Sequence, residues 1–319
     1  TPGAVGNWVE LHLPRATHNI RSGLCAVAPT TLDEVTALGR MAEDARQNDR
    51  RELLYWQAIF GLYTGRLGDA EHYARRLLHT YRGDHVAATK AYRVLSRLAL
   101  YRGNAHLAEA FVDEGSRAVT SSHPNDSRML WIREETRLHI ALGRPEVAVG
   151  QLEVALERAG KAGLGESRSF EIPLRLSMGQ AACALAERHR ILGEGREYEM
   201  RSVLRTTRKQ LEERLGSLNA IRSAEILRLF ARIALLDGRL KKALKWADAA
   251  VEALGAVQAP LEIGKCAEAR GVVLARLERP EAGGIIEQAW ELYRQCGASF
   301  PLVLEGWPVP REAAMLKED

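Results

Sequence analysis

A short sequence pattern recurs along this chain: an apolar stretch ends in a glycine, and an alanine follows five residues later. It reads YTGRLGDA at 63–70, YRGNAHLA at 101–108, ALGRPEVA at 141–148 and LDGRLKKA at 236–243, with a degraded copy, RLERPEAG, at 276–283. The turn positions are Gly65, Gly103, Gly143, Gly193 and Gly238, with Glu278 in the glycine place of the last copy. They are separated by 38, 40, 50, 45 and 40 residues. Self-similarity near this period predicts an array of stacked units.

The residues around each turn position predict that every unit is a helical hairpin. A glycine there can adopt the left-handed conformation that ends a helix. Small residues on both sides let the two helices approach closely, while apolar residues fill the seam between them. The positions seven before the turn hold Ala58, Ser96, Thr136, Ala186, Ala231 and Gly271, and those five after hold Ala70, Ala108, Ala148, Tyr198, Ala243 and Gly283.

This arrangement resembles the tetratricopeptide repeat over about residues 50–297, since that repeat also has a small residue seven before its turn glycine and an alanine five after it. The repeats are longer than the usual 34 residues and largely lack the consensus tryptophan. Repeats of about 40 residues are more similar to those of bacterial MalT-type regulators and related signal-transduction ATPases and kinases. The resemblance implies an all-α fold: a right-handed α-solenoid of about six hairpins with capping segments at both ends.

The sequence divides into three predicted parts. Residues 1–29 are a linker or N-terminal cap, residues 30–297 form the repeat domain, and residues 298–319 form a capping tail. The repeat domain should open with an amphipathic helix over 30–48, with Thr31 as its N-cap residue. The tail contains three prolines, cannot continue as one helix, and is expected to fold over the last hairpin.

Composition and the first residues of the chain predict where the protein is located and whether it is part of a longer polypeptide. No apolar run approaches the roughly 18–20 residues that span a bilayer, and the N-terminal segment does not read as a signal peptide. The four cysteines are scattered, as is usual for buried residues of a cytoplasmic protein. The chain lacks an initiating methionine, so we expect it to be part of a longer polypeptide.

Motifs of catalysis and of cofactor binding are missing from the sequence. It contains no Walker A motif, HExxH, EF-hand loop or GxSxG. The nine histidines and four cysteines form no set at metal-ligand spacing. We therefore expect a protein that is not an enzyme and that has no cofactor or metal.

Arginine recurs in one register of the first helices. Places ten and six before the turn hold Arg93 and Arg97, Arg133 and Arg137, and Arg228 and Arg232, and Lys90 and Lys265 lie thirteen before the turn. Each arginine pair is spaced i and i+4, so its members share one helix face, distinct from the predicted buried one. In the family that the chain resembles, these places line the concave groove. The alternative is an ordinary solvated face, because Glu134, Glu135 and Glu225 lie nearby and could pair with the arginines.

A basic groove predicts a binding module without catalytic activity. We expect it to recognise a protein or peptide partner, or another domain of its own polypeptide, as the sensor or scaffold part of a larger bacterial signalling protein. The groove would suit an acidic segment of the partner, or the chain's own acidic tail if it folds inward. The alternative function is nucleic-acid binding, which the net charge of only +4 disfavours. No membrane partner is expected.

Overall fold

The structure is a computed structural model that describes residues 47–119, 125–161, 168–194, 197–218, 220–255, 257–299, 305 and 307. These residues contain twelve α-helices, one short 3₁₀ helix at Leu215–Ser217, and no β-strand. The helices are α1 Gln47–Tyr63, α2 Leu67–Thr80, α3 His85–Tyr101, α4 Ala105–Ala118, α5 Asn125–Ala141, α6 Pro145–Lys161, α7 Arg168–Leu192, α8 Glu197–Glu212, α9 Ala220–Leu236, α10 Leu240–Leu254, α11 Pro260–Arg276 and α12 Ala282–Cys296.

Six antiparallel hairpins follow one another, and each turns at the predicted position. The five turn glycines have φ between 65° and 73°, and Glu278 is the one non-glycine residue with positive φ in the described part of the chain, at 55°. After the turns, the same hydrogen bond recurs. For example, Asn104 N–H donates to the carbonyl of Ala99, and Arg279 N–H donates to that of Leu274. This closure satisfies the last carbonyls of the first helix. The predicted turn register is confirmed.

Small residues occupy the seam of each hairpin, as predicted. Ala58, Ser96, Thr136, Ala186, Ala231 and Gly271 are all buried. At Gly271 a Cβ atom would lie 2.5 Å from Ile286 Cγ1, so no larger side chain fits there without a shift. Among the positions five after the turn, the four alanines are buried, whereas Tyr198 and Gly283 are exposed. The close approach of the paired helices therefore depends on small side chains.

The hairpins stack so that the first helices, α1, α3, α5, α7, α9 and α11, form one layer. Each of these helices packs against the next one in the layer, and the second helices flank them on the outside. Four groups of buried apolar residues run through the stack. The fold is therefore an all-α solenoid, as the repeat predicts, and each hairpin covers the apolar face of its neighbour.

The last hairpin also contacts the first two. Leu261, Tyr293, Cys296 and Ala298 belong to the same buried apolar group as residues of α1 to α3. The Lys265 ammonium lies 3.3 Å from the hydroxyl of Tyr101. The two ends of the described array therefore meet, and the inner face is narrow.

Some of the predicted elements fall in segments of which the structure describes few residues or none. The helix expected over 30–48 and the linker at 1–29 lie outside the described residues, apart from 47 and 48. Of the tail beyond Ser299, the structure describes Glu305 and Trp307, which lie against α9 and α11 on the inner face. The domain boundaries stay predictions. Within the described residues, no helix is long and apolar enough to cross a bilayer.

Candidate functional site on the inner face

The inner face is the side of the helix layer on which non-neighbouring repeats meet. Arg133 on α5 lies 3.6 Å (Nη2 to Oε1) from Glu225 on α9, although α7 intervenes in the chain. Lys265 on α11 reaches Tyr101 on α3. Only a concave surface brings such helices together, so these contacts identify the face that the arginine register lines.

The predicted basic residues share this face, but they do not form an open cationic row. Arg97, Arg133, Arg228, Arg232 and Lys265 are buried, while Arg93, Arg137 and Lys90 are half-buried. All eight have a carboxylate within 4 Å. The expectation that this face differs from the buried one is therefore wrong. The reason is the narrow inner face: opposing repeats cover one another's side chains, and glutamates from neighbouring helices lie among the cations.

Glu134 on α5 is the centre of one ion-pair network. Arg97 donates to it through Nε at 3.3 Å and also through Nη2, Arg137 donates to both its oxygens at 3.0 Å, and Arg93 Nε lies 3.4 Å away. Burial alone would raise the pKa of Glu134, but Arg137, Arg97 and Arg93 together hold it well below its ordinary value of 4.5. Arg93 also donates to the hydroxyl of Tyr55 on α1. The buried Glu134 carboxylate therefore links side chains of the first three repeats.

Arg133, the preceding residue, has the opposite environment. Its side chain is 4% exposed, and its Nε and Nη2 atoms make no hydrogen bond within the described part of the chain. Burial lowers the pKa of this guanidinium well below the ordinary value, and Arg137 and Arg222 lower it further, with only Glu225 opposing them. Glu225 is engaged more closely by Arg222. A buried guanidinium with unpaired N–H groups is costly to the fold.

A second network surrounds Arg228 on α9. The Arg228 guanidinium is fully buried, donates to Glu262 on α11 at 2.9 Å, and contacts both carboxylate oxygens of Glu305. Lys265 donates to Glu262 at 2.8 Å. Burial would lower the pKa of Arg228, but the carboxylates of Glu305 and Glu262 hold it well above its ordinary value. Each cation here has a close anionic partner.

Arg232 and Trp307 bound a pocket beside this network. Arg232 donates to Glu187 at 3.1 Å and to the carbonyl of Glu305 at 2.8 Å. Trp307 is 3% exposed and packs among small residues of α9, α10 and α11. About 290 Å³ of space remains next to it, and Arg190 and Arg276 also line the pocket. The pocket therefore has apolar walls and a rim on which three arginines lie beside one carboxylate, that of Glu187.

The sequence named Glu134 and Glu225 as possible partners of the arginines, and both are partners in the structure. It did not predict Glu52, Glu187, Glu262 or Glu305 as partners, although one register carries a signal. The place thirteen before the turn holds Glu52, Lys90, Glu225 and Lys265 in four of the repeats, so acidic and basic residues occupy equivalent positions. Glu52 and Lys90, in adjacent repeats, form an ion pair. Acidic and basic residues thus alternate at one place of the repeat, and this alternation is a sequence signal of ion pairs between repeats. Nothing in the repeat pattern indicated Arg222 or Glu305, which lie outside these registers.

Among the described residues, the face offers no evident nucleophile or metal site. Cys183, Cys266 and Cys296 are buried free thiols. Burial raises the pKa of the Cys183 thiol to about 12 and that of Cys266 to about 11, so both are protonated near neutral pH. In the part of the chain that the structure describes, no cluster of His, Cys, Asp and Glu could hold a metal ion.

The chain matches no protein-family model, and it matches no curated protein. It is similar in structure to the Rap protein complexed with competence and sporulation factor, with a TM-score of 0.59 and 10% identity; the match covers 91% of this chain and 78% of that one. BtubC from P. vanneervenii matches with a TM-score of 0.39 and 17% identity, over 78% of this chain and 94% of that one. The likeness to Rap shows a tetratricopeptide-like helical-repeat fold.

Proposed function

We propose that this chain is a non-enzymatic binding module whose inner face takes an acidic segment of a protein or peptide partner. The Rap protein, which shares the fold, was crystallised in complex with a separate factor, and this supports a binding role. The observation that carries the proposal is Arg133: a buried guanidinium with two nitrogens that make no hydrogen bond among the described residues. An incoming carboxylate would satisfy them.

The charges around Arg133 favour an anionic ligand group. Among the described residues, two carboxylates, Glu134 and Glu225, face the four guanidiniums of the register, those of Arg93, Arg97, Arg133 and Arg137. This cluster of four arginines therefore has a surplus of two positive charges over its described carboxylates. The side chains of Arg93 and Arg137 are 15% and 12% exposed, so the edge of the cluster meets solvent. A carboxylate on a partner would reduce the repulsion among these cations.

The eight basic residues have different roles under this proposal. Arg93, Arg97, Arg133 and Arg137 form the surplus cluster and are the binding residues. Arg228, Arg232 and Lys265 are neutralised by glutamates, and Lys90 pairs with Glu52 at the α1 end. Glutamates interleaved among the arginines disfavour a nucleic-acid backbone, because they would repel its phosphates.

We also propose that the chain is the sensor or scaffold part of a larger bacterial signalling protein in the cytoplasm. Its repeat length resembles that of MalT-type regulators, and a binding module of this fold suits such a role. The reading frame around the coding segment tests this: an adjoining ATPase, kinase or DNA-binding domain supports it, and a frame with no further domain contradicts it.

Peptide selection tests the binding proposal. Phage-displayed random dodecapeptides would be selected on the wild-type chain and measured by fluorescence anisotropy against Arg133→Met and against Arg76→Met, an exposed control on α2. We expect peptides enriched in Asp and Glu that bind the control normally and Arg133→Met at least about tenfold more weakly, the loss of one charge-assisted contact. Peptides that bind both variants equally contradict the proposal.

A further inference from the structure

Two residues of the tail, Glu305 and Trp307, lie on the inner face of the solenoid. Both residues are buried, although they belong to a segment that follows the last hairpin. Arg228 contacts the Glu305 carboxylate at two points, Nε to Oε2 at 3.0 Å and Nη2 to Oε1 at 2.6 Å. This forked contact is the geometry with which arginine recognises a carboxylate.

The backbone of the same residue is also held. Arg232 Nη1 donates to the carbonyl oxygen of Glu305 at 2.8 Å, and Lys265 Nζ lies 3.7 Å from its carboxylate. Glu305 thus contacts the solenoid through both its side chain and its main chain. Recognition of a main-chain carbonyl beside an acidic side chain is how a groove would hold a linear peptide segment.

Glu305 completes the ion pairs at this end of the inner face. Among the described residues, Arg228, Arg232 and Lys265 carry three positive charges, and their other ion-pair partners are Glu262 and Glu187, which Arg190 also contacts. Arg228 is fully buried, so withdrawal of Glu305 would leave part of its charge uncompensated in a site of low polarity. The site therefore requires an acidic occupant.

Trp307 provides the second contact. Its ring belongs to the same buried apolar cluster as Ala231, Ala234, Ala243, Ala269 and Val273, which come from α9, α10 and α11. Small side chains in this cluster leave room for a bulky ring, and Trp307 also forms one wall of an open pocket that Leu235 and Val272 line. An aromatic side chain in such a pocket is a strong anchor for a peptide.

We propose that the Arg228 end of the inner face is a peptide subsite for an acidic residue followed, two positions later, by a large aromatic residue. The chain's own Glu305 and Trp307 occupy it, and a partner segment of the same chemistry displaces these resident residues. This subsite rests on the proposed function, because both place a peptide on the inner face. Its residues, however, are different from those of the Arg133 cluster. A resident occupant multiplies the apparent affinity for any competitor by the fraction of time that the site is empty.

The test uses the full chain in wild-type form and with Glu305→Ala and Trp307→Ala combined. The probe is a fluorescein-labelled synthetic peptide of residues 301–310, PLVLEGWPVP, followed by anisotropy. We expect the substituted chain to bind the probe at least about tenfold more tightly than the wild type does. Probes carrying the equivalent of Glu305→Ala or of Trp307→Ala alone should each lose at least about tenfold in affinity. Equal binding to both chains, or no binding to a folded substituted chain, overturns the proposal.

Two further measurements complete the test. If the substituted chain has lost its helical circular dichroism, excess probe should restore it, because a ligand of the folded state stabilises that state. Failure to restore the signal overturns the proposal, since the segment would then be a structural cap and not a replaceable ligand. Adding Arg133→Met to the substituted chain should leave probe binding unchanged. A loss of binding there would overturn the separate subsite without touching the Arg133 proposal, which the selected acidic peptides test.

Discussion

Arg133 and Glu134 are consecutive buried residues of α5 with opposite electrostatic environments. Glu134 lies within 3.4 Å of three guanidiniums, whereas two nitrogens of Arg133 make no hydrogen bond among the described residues. Unsatisfied N–H groups on a buried charge destabilise a fold, and such a cost is typical of a site where stability is given up for binding. Under the proposed function, Arg133 is the binding residue of the pair and Glu134 is the structural one.

Neutralising Arg133 should leave stability unchanged or raise it. Arg133→Met removes a buried cation that Arg137 and Arg222 repel, at similar side-chain volume. Arg97→Met, by contrast, breaks a buried pair and should cost about 2–3 kcal/mol, less than the usual ~3–5 because Glu134 keeps two other partners. Urea unfolding at pH 7 measures both. A large loss for Arg133→Met would mean that this guanidinium is already satisfied within the fold.

The turn positions provide a reciprocal pair of substitutions. Glu278 has φ of 55°, a conformation that costs a side-chain-bearing residue about 1–2 kcal/mol. We expect Glu278→Gly to raise the free energy of unfolding by about 1 kcal/mol. Gly143→Ala should lower it by a similar amount, because Gly143 has φ of 68° and an added Cβ would meet no atom within 4 Å, so backbone strain is the whole effect. Effects of the same sign at both positions would contradict this account.

Enlarging a seam residue should overpack the hairpin. Ala231 on α9 is completely buried and belongs to the apolar cluster that α9, α10, α11 and Trp307 share. Ala231→Leu should therefore cost about 1–3 kcal/mol in thermal or urea unfolding. Ala275→Leu, at an exposed position of α11, is the matched control and should change stability little. An unchanged midpoint for Ala231→Leu would show that the seam is looser than its burial indicates.

The buried glutamates should make the fold sensitive to acid. Folding lowers the pKa of Glu134 and of Glu225 below 4.5, so each contributes stability that is complete above about pH 4.5 and is lost as the pH falls further. The loss is about 1.4 kcal/mol for each pKa unit of lowering. Glu134→Gln should lower stability at pH 7 and flatten its decline between pH 5 and pH 3. Glu157→Gln, at an exposed site on α6, should leave the slope unchanged.

The hairpins and their turns could be predicted from the sequence because they are local. A left-handed glycine and a small residue seven positions earlier are determined by one hairpin, so Gly103 with Ser96 already predicts the geometry. The state of the arginines depends on distant repeats. Spacing places Arg133 and Arg137 on one face, but how far that face is covered depends on Glu225, 92 residues further on, and on the return of the last hairpin. The seating of Glu305 is likewise set by side chains from distant parts of the chain.

The contact between Tyr101 and Lys265 has a consequence for synthesis of the chain. Most solenoids grow outward from whichever repeat forms first, because each repeat needs only its neighbour. Here the second hairpin receives part of its apolar cover from Leu261, Tyr293 and Ala298. At about 5–20 residues per second, the ribosome needs roughly 10–40 seconds to go from Tyr101 to Ala298. For that interval the N-terminal repeats lack the apolar cover that these three residues provide, and exposed apolar surface makes a nascent chain prone to aggregation.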